Sequence, residues 1–578
     1  MAEMTRWGEN VYRDEAPAWQ EYPRPQMQRE DWQCLNGMWD YAVSGRETET
    51  MPEAEGKIRV PFCIESVLSG VERPLQPEEK LWYRRTFSQE WEGSRILLHF
   101  GAVDWQARVF VNGTKVTEHC GGYTPFSADI TDTLQPGDNE LVVAVTDPTD
   151  AKGQPRGKQS LDPQVIFYTA VSGIWQTVWL ESVPENYIKN IRLTPDFDEK
   201  CLLWHIDADA PAGAHVTVRA AGEVIAAGRA DENGDGVSVV PAECFHPWLP
   251  EDPYLYDVEI TLGDDRVTSY FGMRKFSTVE HKGRRVLALN NEPYFQTGLL
   301  DQGYWSDGLY TPPSDVAMIY DIETAKRMGF NMLRKHIKIE PLRWYYHCDR
   351  LGMLVWQDMV SCFERFHPLT MQVLPFAGIR LKDAPSAKFG RAGQAGRGQY
   401  EADLAATVEL LRNCVSLALW VPFNEGWGQF DALRITEKLR ALDPTRPVDH
   451  ASGWHDQGGG DLRSYHIYYR PVRLKNDGRR VLALTEFGGY SLPLPGHYTT
   501  DRRFGYRTYK SADAWMDALE RLYTCEVLPQ IAAQGLSAAV YTQLSDVEDE
   551  VNGLLTFDRR VCKADAARML EINRKLRF

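Results

Sequence analysis

The sequence predicts a multidomain protein in which two antiparallel β-sandwiches precede a (β/α)8 TIM barrel. Three observations support this fold class. Short β-rich runs bounded by turn residues fill residues 1–183, a smaller set of such runs fills residues 184–279, and apolar strands alternate with amphipathic helices over residues 280–578. These three ranges are the predicted domains.

The first predicted domain is a jelly-roll-like β-sandwich, because β-rich runs recur at 95–100, 107–111 and 140–145 without a long amphipathic helix between them. Asn112 and Gly113 stand directly between two strand candidates. A type I′ hairpin turn needs positive φ at both central residues, and these two residue types adopt it readily. We therefore predict a tight hairpin at this point.

The second predicted domain is an immunoglobulin-like β-sandwich. Five or more short strands within about ninety residues are typical of that fold. Asn233 and Gly234 add a further turn signal. The strand candidates lie at 191–193, 202–206, 215–219, 237–240 and 255–260.

The third predicted domain is the barrel, because alternating strands and helices give parallel strands and eight such units close on themselves. Ser314 is placed to cap one helix and Gly329 to end it. A second helix is expected from Asp431 to Leu442, and the Gly- and Arg-rich segment 361–400 is expected to be an extended loop. The strand candidates lie at 294–300, 331–336, 353–358, 416–423, 447–452, 463–468, 481–486 and 537–543.

The composition narrows the classes of partner. The formal net charge is −17, so nucleic acid and anionic membranes would be repelled. The 10 cysteines form no CxxC pair or zinc-type cluster, and no stretch has the roughly 18 apolar residues of a membrane span. The N-terminus lacks a basic segment followed by an apolar one, so a cytoplasmic protein is expected. A periplasmic or secreted protein stays open, because a removed signal sequence would be invisible.

The carboxyl ends of the predicted barrel strands carry the candidate functional residues, because active sites of such barrels lie at that face. Strand 4 ends in Asn424 and Glu425, and strand 7 gives way to Glu486. The other polar side chains at these strand ends are Arg334 and His336 on strand 2, Asp358 on strand 3, Tyr465 and His466 on strand 6, and Gln543 on strand 8.

Glu425 and Glu486 form the central pair. A single carboxylate in such a position is more often an ion-pair partner of Arg334 or Lys335, or a helix cap, than a catalytic group. Two of them on opposed strands point into the same crater. Glycosidic bond cleavage needs two facing carboxyl groups, one protonated to assist the leaving oxygen and one charged to attack the anomeric carbon. The pair therefore predicts glycosidase chemistry.

Two tetrapeptides and three N-terminal segments carry a family resemblance. Residues 423–426 read Phe-Asn-Glu-Gly and residues 485–488 read Thr-Glu-Phe-Gly; together with segments 101–113, 121–126 and 172–179 they resemble glycoside hydrolase family 2. The resemblance covers essentially the whole chain and implies a retaining β-glycosidase, with Glu425 as acid/base and Glu486 as nucleophile. It also implies an N-terminal sandwich that resembles a sugar-binding module.

The same resemblance assigns roles to the substrate-binding candidates. Asn424 would contact the 2-hydroxyl of the sugar. Tyr465 matches the strand-6 tyrosine that hydrogen-bonds the nucleophile, with His466 as an adjacent candidate. Arg334 and His336 lie where the family has an Arg and a His on strand 2, although their spacing departs from the commoner Arg-x-x-His.

Four further candidates carry an alternative structural role. Trp427 and Trp454 are either sugar-stacking walls or aromatics of the core or rim. Asp301, after strand 1, and Asp358, after strand 3, either bind hydroxyls of the terminal sugar or anchor loops.

A departure from the family pattern bears on the sugar. Members that act on glucuronides carry a lysine at the position of Asn552, and Asp549 and Glu550 add negative charge beside it. A neutral sugar is therefore expected, with a β-galactosidase as first choice; β-glucuronidase, galacturonidase, β-mannosidase and α-L-arabinopyranosidase activities stay open. The Glu-x-His pair of the magnesium-dependent members is missing after strand 3, so no metal and no other cofactor is expected.

Two other questions stay open at the level of sequence. A catalytically silent carbohydrate-binding protein with a degenerate barrel is the alternative to an enzyme. The expected partner is an oligosaccharide or other glycoside in either case. Family members are often dimers or tetramers, and no feature of the sequence decides for or against a homo-oligomer.

Overall fold

Two antiparallel sheets form the N-terminal sandwich in the computed structural model, which describes residues 4–13, 18–91 and 95–578. The apolar faces of the two sheets enclose one core cluster. The six-stranded sheet has the order Gly56–Val60, Gly37–Gly45, Glu79–Phe87, Asn139–Thr146, Gln106–Val111 and Thr114–Cys120. The four-stranded sheet has the order Trp32–Cys34, Val178–Val183, Arg95–Phe100 and Phe126–Asp129.

The predicted hairpin at Asn112 and Gly113 is confirmed. The two residues have φ of 49° and 79° and form the whole connection between Gln106–Val111 and Thr114–Cys120. The Asn112 side chain also donates to the carbonyl of Thr133 at 2.8 Å, which ties the turn to the neighbouring loop.

A second sandwich follows, with seven strands in two antiparallel sheets around its own core cluster. The prediction missed Glu223–Arg229, where alanine and glycine weaken the β-rich pattern, and Asp265–Phe271, whose β-forming residues follow directly on two charged ones. One sheet contains Asn190–Asp196, Cys201–Asp207 and Asp235–Val239, and the other contains Glu223–Arg229, His215–Ala220, Tyr256–Leu262 and Asp265–Phe271.

A small three-stranded sheet, Phe276–His281, Arg284–Leu289 and Glu292–Pro293, lies between this sandwich and the barrel in the chain. Its middle strand closes the amino-terminal end of the barrel: the Leu287 backbone N–H donates to Ser537 Oγ at 2.7 Å, and the Leu287 side chain packs into the barrel interior. The three domain ranges, 1–183, 184–279 and 280–578, stay predictions.

Seven parallel strands form a curled sheet, which confirms the barrel fold class. All of them are fully buried except near the start of strand 6. We name them barrel strand 1 (Gln296–Asp301), 2 (Met332–Lys335), 3 (Leu354–Asp358), 4 (Leu417–Val421), 6 (Leu462–Ile467), 7 (Val481–Gly488) and 8 (Leu536–Thr542).

Barrel strand 5 is the short segment 448–452, which lies between strands 4 and 6. Isolated parallel bridges join it to strand 4 at Trp420–Val448 and Asn424–Ser452. On the other side, the Asp461 N–H donates to the Val448 carbonyl at 2.8 Å. Backbone hydrogen bonds also join residues 447–452 to residues 420–425, so within the described residues the ring of strands has few backbone bonds only on the strand 6 side.

Helices surround the barrel. The Ser314 hydroxyl caps the first of them as predicted, by accepting from the Ala317 N–H, and Gly329 follows its end with φ of 83°. The helices of the chain are Arg6–Arg13, Asp315–Arg327, Leu342–Leu351, Leu374–Phe376, Gln394–Leu411, Ala432–Leu442, Ala512–Arg521, Leu528–Gln534 and Ala566–Asn573. Among the described residues, no helix has the length and apolarity to cross a membrane.

The predicted loop 361–400 is shorter than expected, because helix Gln394–Leu411 begins inside it. Gly396 and Gly398 lower the helix propensity of this first turn, which hid it in the sequence. Gly396 is needed for close packing: a Cβ added there would lie 2.5 Å from the carbonyl oxygen of Gly153 in the first sandwich.

Candidate active site

Glu425 and Glu486 are held at the carboxyl end of the barrel by different backbone arrangements. Glu486 belongs to strand 7, whereas Glu425 lies four residues beyond strand 4. Glu425 has φ of 52°, a left-handed conformation that costs energy for a non-glycine residue and is often found at functional sites. Its N–H donates to the carbonyl of Ser452 at 3.0 Å, so strand 5 stabilises this conformation.

His466 lies between the two carboxyl groups. Its Nδ1 is 2.8 Å from Glu425 Oε1 and 3.4 Å from Glu486 Oε2. One carboxylate oxygen of each glutamate and one nitrogen of His466 all lie within 4.8 Å of one another. The Arg334 guanidinium, which can only donate, faces Nε2 at 3.5 Å, so Nε2 is the acceptor and Nδ1 carries the proton.

The two carboxyl groups have different electrostatic environments. Burial raises the pKa of Glu425 to about 8, although the charges of Lys158 and Arg334 act to lower it. Burial also raises the pKa of Glu486, but the neighbouring His466 and Arg334 oppose that rise. Burial lowers the pKa of His466 to about 4, so its imidazole is neutral near pH 7. One glutamate is therefore suited to hold a proton and the other to lose it.

Arg334 organises the floor of the site from strand 2. Its fully buried guanidinium donates to Asp358 Oδ1 at 2.9 Å, to Asn424 Oδ1 at 2.9 Å and to Glu486 Oε1 at 3.2 Å. His336 reaches the same cluster indirectly, because its Nδ1 lies 2.7 Å from Asp358 Oδ2. These five predicted residues are brought together, with Asp358 acting as the anchor of Arg334 and His336.

The predicted hydrogen bond from Tyr465 is wrong, because Tyr468 occupies the place beside Glu486. The Tyr468 hydroxyl donates to Glu486 Oε2, whereas the Tyr465 hydroxyl donates to the carbonyl of Lys475 at 3.1 Å. Successive side chains of a strand point to opposite faces, so the Tyr465 hydroxyl is directed away from Glu486, although Tyr465 still lines a cavity together with His466. Tyr468 follows strand 6 on the same face as His466. Its ring stacks on Tyr506 at 3.7 Å between centroids.

Asp301 does not join the cluster either. Its carboxylate accepts from Lys335 Nζ at 2.7 Å, and that ammonium also donates to Glu340 at 2.7 Å. The reason is the alternation of side chains along strand 1. Leu300 packs into the barrel interior. Leu299 lies on the same face as Asp301 and packs in the cluster between the strands and the helices. Asp301 therefore anchors strand 2 from outside the crater.

The two tryptophans lie on different sides of the site. Trp427 is buried, and Phe167 from the first sandwich stacks on it at 5.8 Å between ring centroids. Trp454 follows strand 5, with its ring 6.2 Å from the ring of His466. Trp454 is half-buried and lines a cavity, which leaves one of its faces available to a ligand.

Gln543 belongs to the far wall of the site, at the end of strand 8. It donates to Asn552 Oδ1 at 2.9 Å and accepts from Gln302 at 2.7 Å. Asn552 in turn donates to Glu550 Oε1 at 3.3 Å. Both hydrogen-bonding ends of Gln543 are thus used within the protein, and its contacts support the position of Asn552 and Glu550.

The first sandwich supplies a cation that was not predicted. Lys158 is buried, with its Nζ 3.9 Å from Glu550 Oε2, 5.8 Å from the ring centre of Trp427 and 5.3 Å from that of Tyr168. The Tyr168 hydroxyl donates to Glu550. No local motif marks Lys158 in the sequence, because its role depends on contact between two distant domains.

Glu425, His466 and Glu486 are also the side chains that could hold a metal ion, since a His with two carboxylates is a common ligand set. Their hydrogen bonds with each other and with Arg334 satisfy them without an ion. The geometry is therefore that of two interacting carboxyl groups of unequal acidity.

Comparisons with known proteins agree with this fold. A family model described as glycosyl hydrolase 2 galactose-binding domain-like matches residues 55–172, and one described as glycosyl hydrolases family 2 matches residues 186–274. A β-galactosidase of Thermoanaerobacter pseudethanolicus is 28% identical over 306 residues, which are 48% of this chain and 39% of that protein. The cat β-glucuronidase is 25% identical over 58% of each chain. This chain thus spans well under two thirds of the length of these curated relatives.

Solved structures match over nearly the full length. The β-D-glucuronidase of Dictyoglomus thermophilum has a TM-score of 0.75 at 18% identity, covering 96% of this chain and 99% of that one. A β-galacturonidase of Eisenbergiella tayi bound to galacturonate has a TM-score of 0.70 at 19% identity, with the same coverage. At this level of identity the solved structures show only the shared fold. The family models and the curated relatives are what indicate the family. Together, the family models over residues 55–172 and 186–274 and the curated relatives support glycoside hydrolase family 2 as the family of this chain.

Proposed function

We propose that this protein is a retaining exo-β-glycosidase that hydrolyses a terminal sugar through a covalent glycosyl-enzyme. The observation that carries the proposal is the position of Glu425 and Glu486, whose nearest ligand oxygens lie within 4.8 Å with His466 between them. Retaining glycosidases hold their carboxyl groups about 5–5.5 Å apart, whereas inverting ones leave about 6.5–9.5 Å for a water molecule.

The proposed reaction has two steps. Glu486 attacks the anomeric carbon while Glu425 donates its proton to the glycosidic oxygen, so the leaving group departs as a neutral alcohol. Glu425, now ionised, takes a proton from water, and the water oxygen attacks the same carbon and displaces Glu486. Two inversions restore the β-configuration. Arg334 and Tyr468 hold Glu486 through hydrogen bonds, which orients its attacking oxygen.

The choice of terminal sugar follows from the charges around the site. Near pH 7, with Glu425 protonated, the site holds three carboxylates and two cations. The carboxylates are Glu486, Asp358 and Glu550, and the cations are Arg334 and Lys158. A uronate would add a second uncompensated negative charge, so a neutral sugar is the first choice. Galactose comes first by the family resemblance, and a β-galactosidase is among the relatives.

One observation favours a uronide as the second candidate. Lys158 places a buried ammonium beside the site, and a carboxylate on the sugar could compete with Glu550 for it. Solved structures with the same fold include proteins described as β-glucuronidase and β-galacturonidase. A panel of p-nitrophenyl glycosides separates a neutral sugar from a uronide. The panel contains the β-galactoside, β-glucoside, β-mannoside, β-fucoside, β-glucuronide and β-galacturonide, and the α-L-arabinopyranoside.

Azide rescue tests the two catalytic assignments. Glu425→Ala should lose about 10²–10⁴-fold on poor leaving groups. It should keep activity on dinitrophenyl glycosides and form the β-glycosyl azide when azide is added. Glu486→Ala should abolish hydrolysis and form only the α-azide. Glu401→Gln, on the surface helix Gln394–Leu411, is the matched control and should be unchanged.

Parental activity in both alanine variants would refute the assignment. Binding of a sugar by calorimetry, with no product from any glycoside, would instead support a catalytically silent carbohydrate-binding protein. The number of subunits is a separate measurement that this test leaves open.

A further inference from the structure

A cavity of about 570 Å³ opens beside the two glutamates, on the side of strands 5 and 6. One wall comes from the segment around Arg380, in the long connection after strand 3. A second wall is Gly453–His455 after strand 5, and the third is formed by strand 6 and the segment that ends at Arg473. All three walls belong to the carboxyl-end face on which the candidate active site lies.

The walls of this cavity are basic. Arg380, Arg470 and Arg473 line it, together with His455 and His466, and no acidic side chain lines it among the described residues. This arrangement is unexpected in a chain of net charge −17. Like charges that share a concave surface repel each other, so the cluster needs a reason beyond stability.

Two of these arginines have no partner. The side chains of Arg470 and Arg473 are exposed and make no hydrogen bond or ion pair within residues 4–13, 18–91 and 95–578. Arg380 is 3.3 Å from Asp456, but Asp456 already forms a 2.8 Å ion pair with Arg480. The guanidinium groups at the cavity are therefore available to an anion from outside the chain.

A second rim of the cavity, beside Pro375 and Arg470, is aromatic. The ring of Phe376 packs edge-on against Trp454 at 5.4 Å between centroids, and it lies 6.2 Å from the ring of Tyr469. Phe376 and Tyr469 are both exposed, so with Trp454 they form a small aromatic patch beside the cavity. A flat ligand with an anionic group would satisfy both rims, since rings stack on aromatics and oxyanions pair with guanidinium groups.

The cavity lies nearer to Glu425 than to Glu486, because His455, which lines it, packs against Gly426 directly after Glu425. His466 lines it, and Nδ1 of His466 is 2.8 Å from Glu425 Oε1. Glu425 is the group that would protonate the leaving oxygen, so the part of the substrate next to it is the aglycone.

We propose that this cavity is an aglycone site selective for leaving groups that carry an oxyanion, recognised by Arg470 and Arg473 and stacked against Trp454. The proposal rests on the proposed glycosidase function. It names the substrate class more closely: a β-glycoside whose aglycone is a ring, of a sugar or an aromatic, bearing a carboxylate, sulfate or phosphate. The terminal sugar and the aglycone are then recognised by separate groups of residues.

A matched pair of coumarin glycosides tests this proposal. The aglycones are 7-hydroxycoumarin-4-acetate and its acetamide, in which a methylene separates the charge from the leaving oxygen and keeps the two leaving groups equally reactive. The terminal sugar is the one that the p-nitrophenyl panel selects. Full-length wild type should prefer the acetate in kcat/KM, and the preference should shrink as salt screens the exposed arginines.

Arg470→Gln/Arg473→Gln should lower kcat/KM for the acetate about tenfold, the loss expected for two exposed charge pairs, and leave the acetamide unchanged. Arg479→Gln/Arg577→Gln removes two exposed arginines elsewhere and should keep the preference. Sulfonate and phosphonate analogues then rank the oxyanions.

Equal turnover of both coumarins by wild type would overturn the proposal, as would a preference that survives Arg470→Gln/Arg473→Gln. Failure to cleave either coumarin while the p-nitrophenyl glycoside is cleaved also overturns it. If no glycoside is cleaved at all, the glycosidase function fails, and calorimetry with free 7-hydroxycoumarin-4-acetate still tests the cavity. Binding that is lost in the double variant supports the anion site, and absence of binding to wild type refutes it.

Discussion

The proton on Glu425 is the residue-scale property that the reaction would depend on most. Burial raises its pKa to about 8, and burial also raises the pKa of Glu486. The nucleophile must be ionised and the acid must be protonated. We therefore expect a bell-shaped profile of kcat/KM that falls above about pH 8 as Glu425 loses its proton. It also falls at low pH, as Glu486 gains one.

Stopped assays from pH 4 to 10 on the selected p-nitrophenyl glycoside measure this profile. In Glu425→Ala with a dinitrophenyl glycoside, the alkaline fall should disappear, because no acid is then required. An alkaline limb that persists in that variant would assign it to another group.

The tyrosine beside the nucleophile offers a second prediction at this scale. Tyr468→Phe removes a hydrogen bond to the ionised Glu486, a loss of about 1.5–3 kcal/mol that corresponds to roughly 10- to 100-fold in kcat. Tyr465→Phe, three residues earlier, should stay within about twofold, because its hydroxyl contacts only a backbone carbonyl. Steady-state kinetics of both variants measure these changes in kcat. A larger loss in Tyr465→Phe than in Tyr468→Phe would restore the sequence-based prediction for Tyr465.

At the scale of elements, the segment 156–169 of the first sandwich reaches the site in the barrel. The charge of Lys158 acts to lower the pKa of Glu425. Lys158→Met should therefore raise that pKa and move the alkaline limb of kcat/KM to higher pH, while Lys158→Arg should leave it in place. The same pH series measures both variants. A limb that stays still in Lys158→Met, or moves to lower pH, would contradict this coupling.

The order of strands and their apolar runs were predictable, and so was the placement of polar side chains at the strand ends, because both follow from local pattern. The face on which a side chain lies was harder. Tyr465 was assigned to the carboxylate of Glu486 and Asp301 to the terminal sugar, yet the alternation within strands 6 and 1 directs the Tyr465 hydroxyl to Lys475 and the Asp301 carboxylate to Lys335. A strand end uncertain by one residue reverses that assignment. Helix Gln394–Leu411 was partly hidden because Gly396 serves close packing instead of helix formation.

Lys158 and Tyr506 lay beyond sequence reasoning for another reason. Each reaches the site through long-range contact: Lys158 from a different domain, and Tyr506 from the connection after strand 7. Single-sequence patterns report local structure, and neither residue stands in a recognisable motif. The two glutamates could be identified because each stands in a short motif and the barrel fold alone brings them together.

For the whole molecule, the first sandwich and the barrel share one apolar cluster. Phe62 and Trp175 of the sandwich belong to the same cluster as Tyr304 and Tyr310 of the barrel. A chain that begins at Glu280 would expose these rings and lose Lys158. We expect it to be inactive and unstable by circular dichroism and aryl-glycoside turnover. A stable, fully active barrel would show that the sandwich does not brace it.

The short fifth strand has a consequence for local stability. Segment 448–452 is joined to the start of strand 6 by one backbone hydrogen bond in the described part of the chain, and the N–H of Glu425 is bonded to its last residue. A ring of strands opens most readily where it has the fewest bonds, and local opening exposes amides to hydrogen exchange. The backbone beneath Glu425 should therefore exchange faster than strands 1 and 8. An occupied site, by holding Glu425 and Trp454, would slow that exchange.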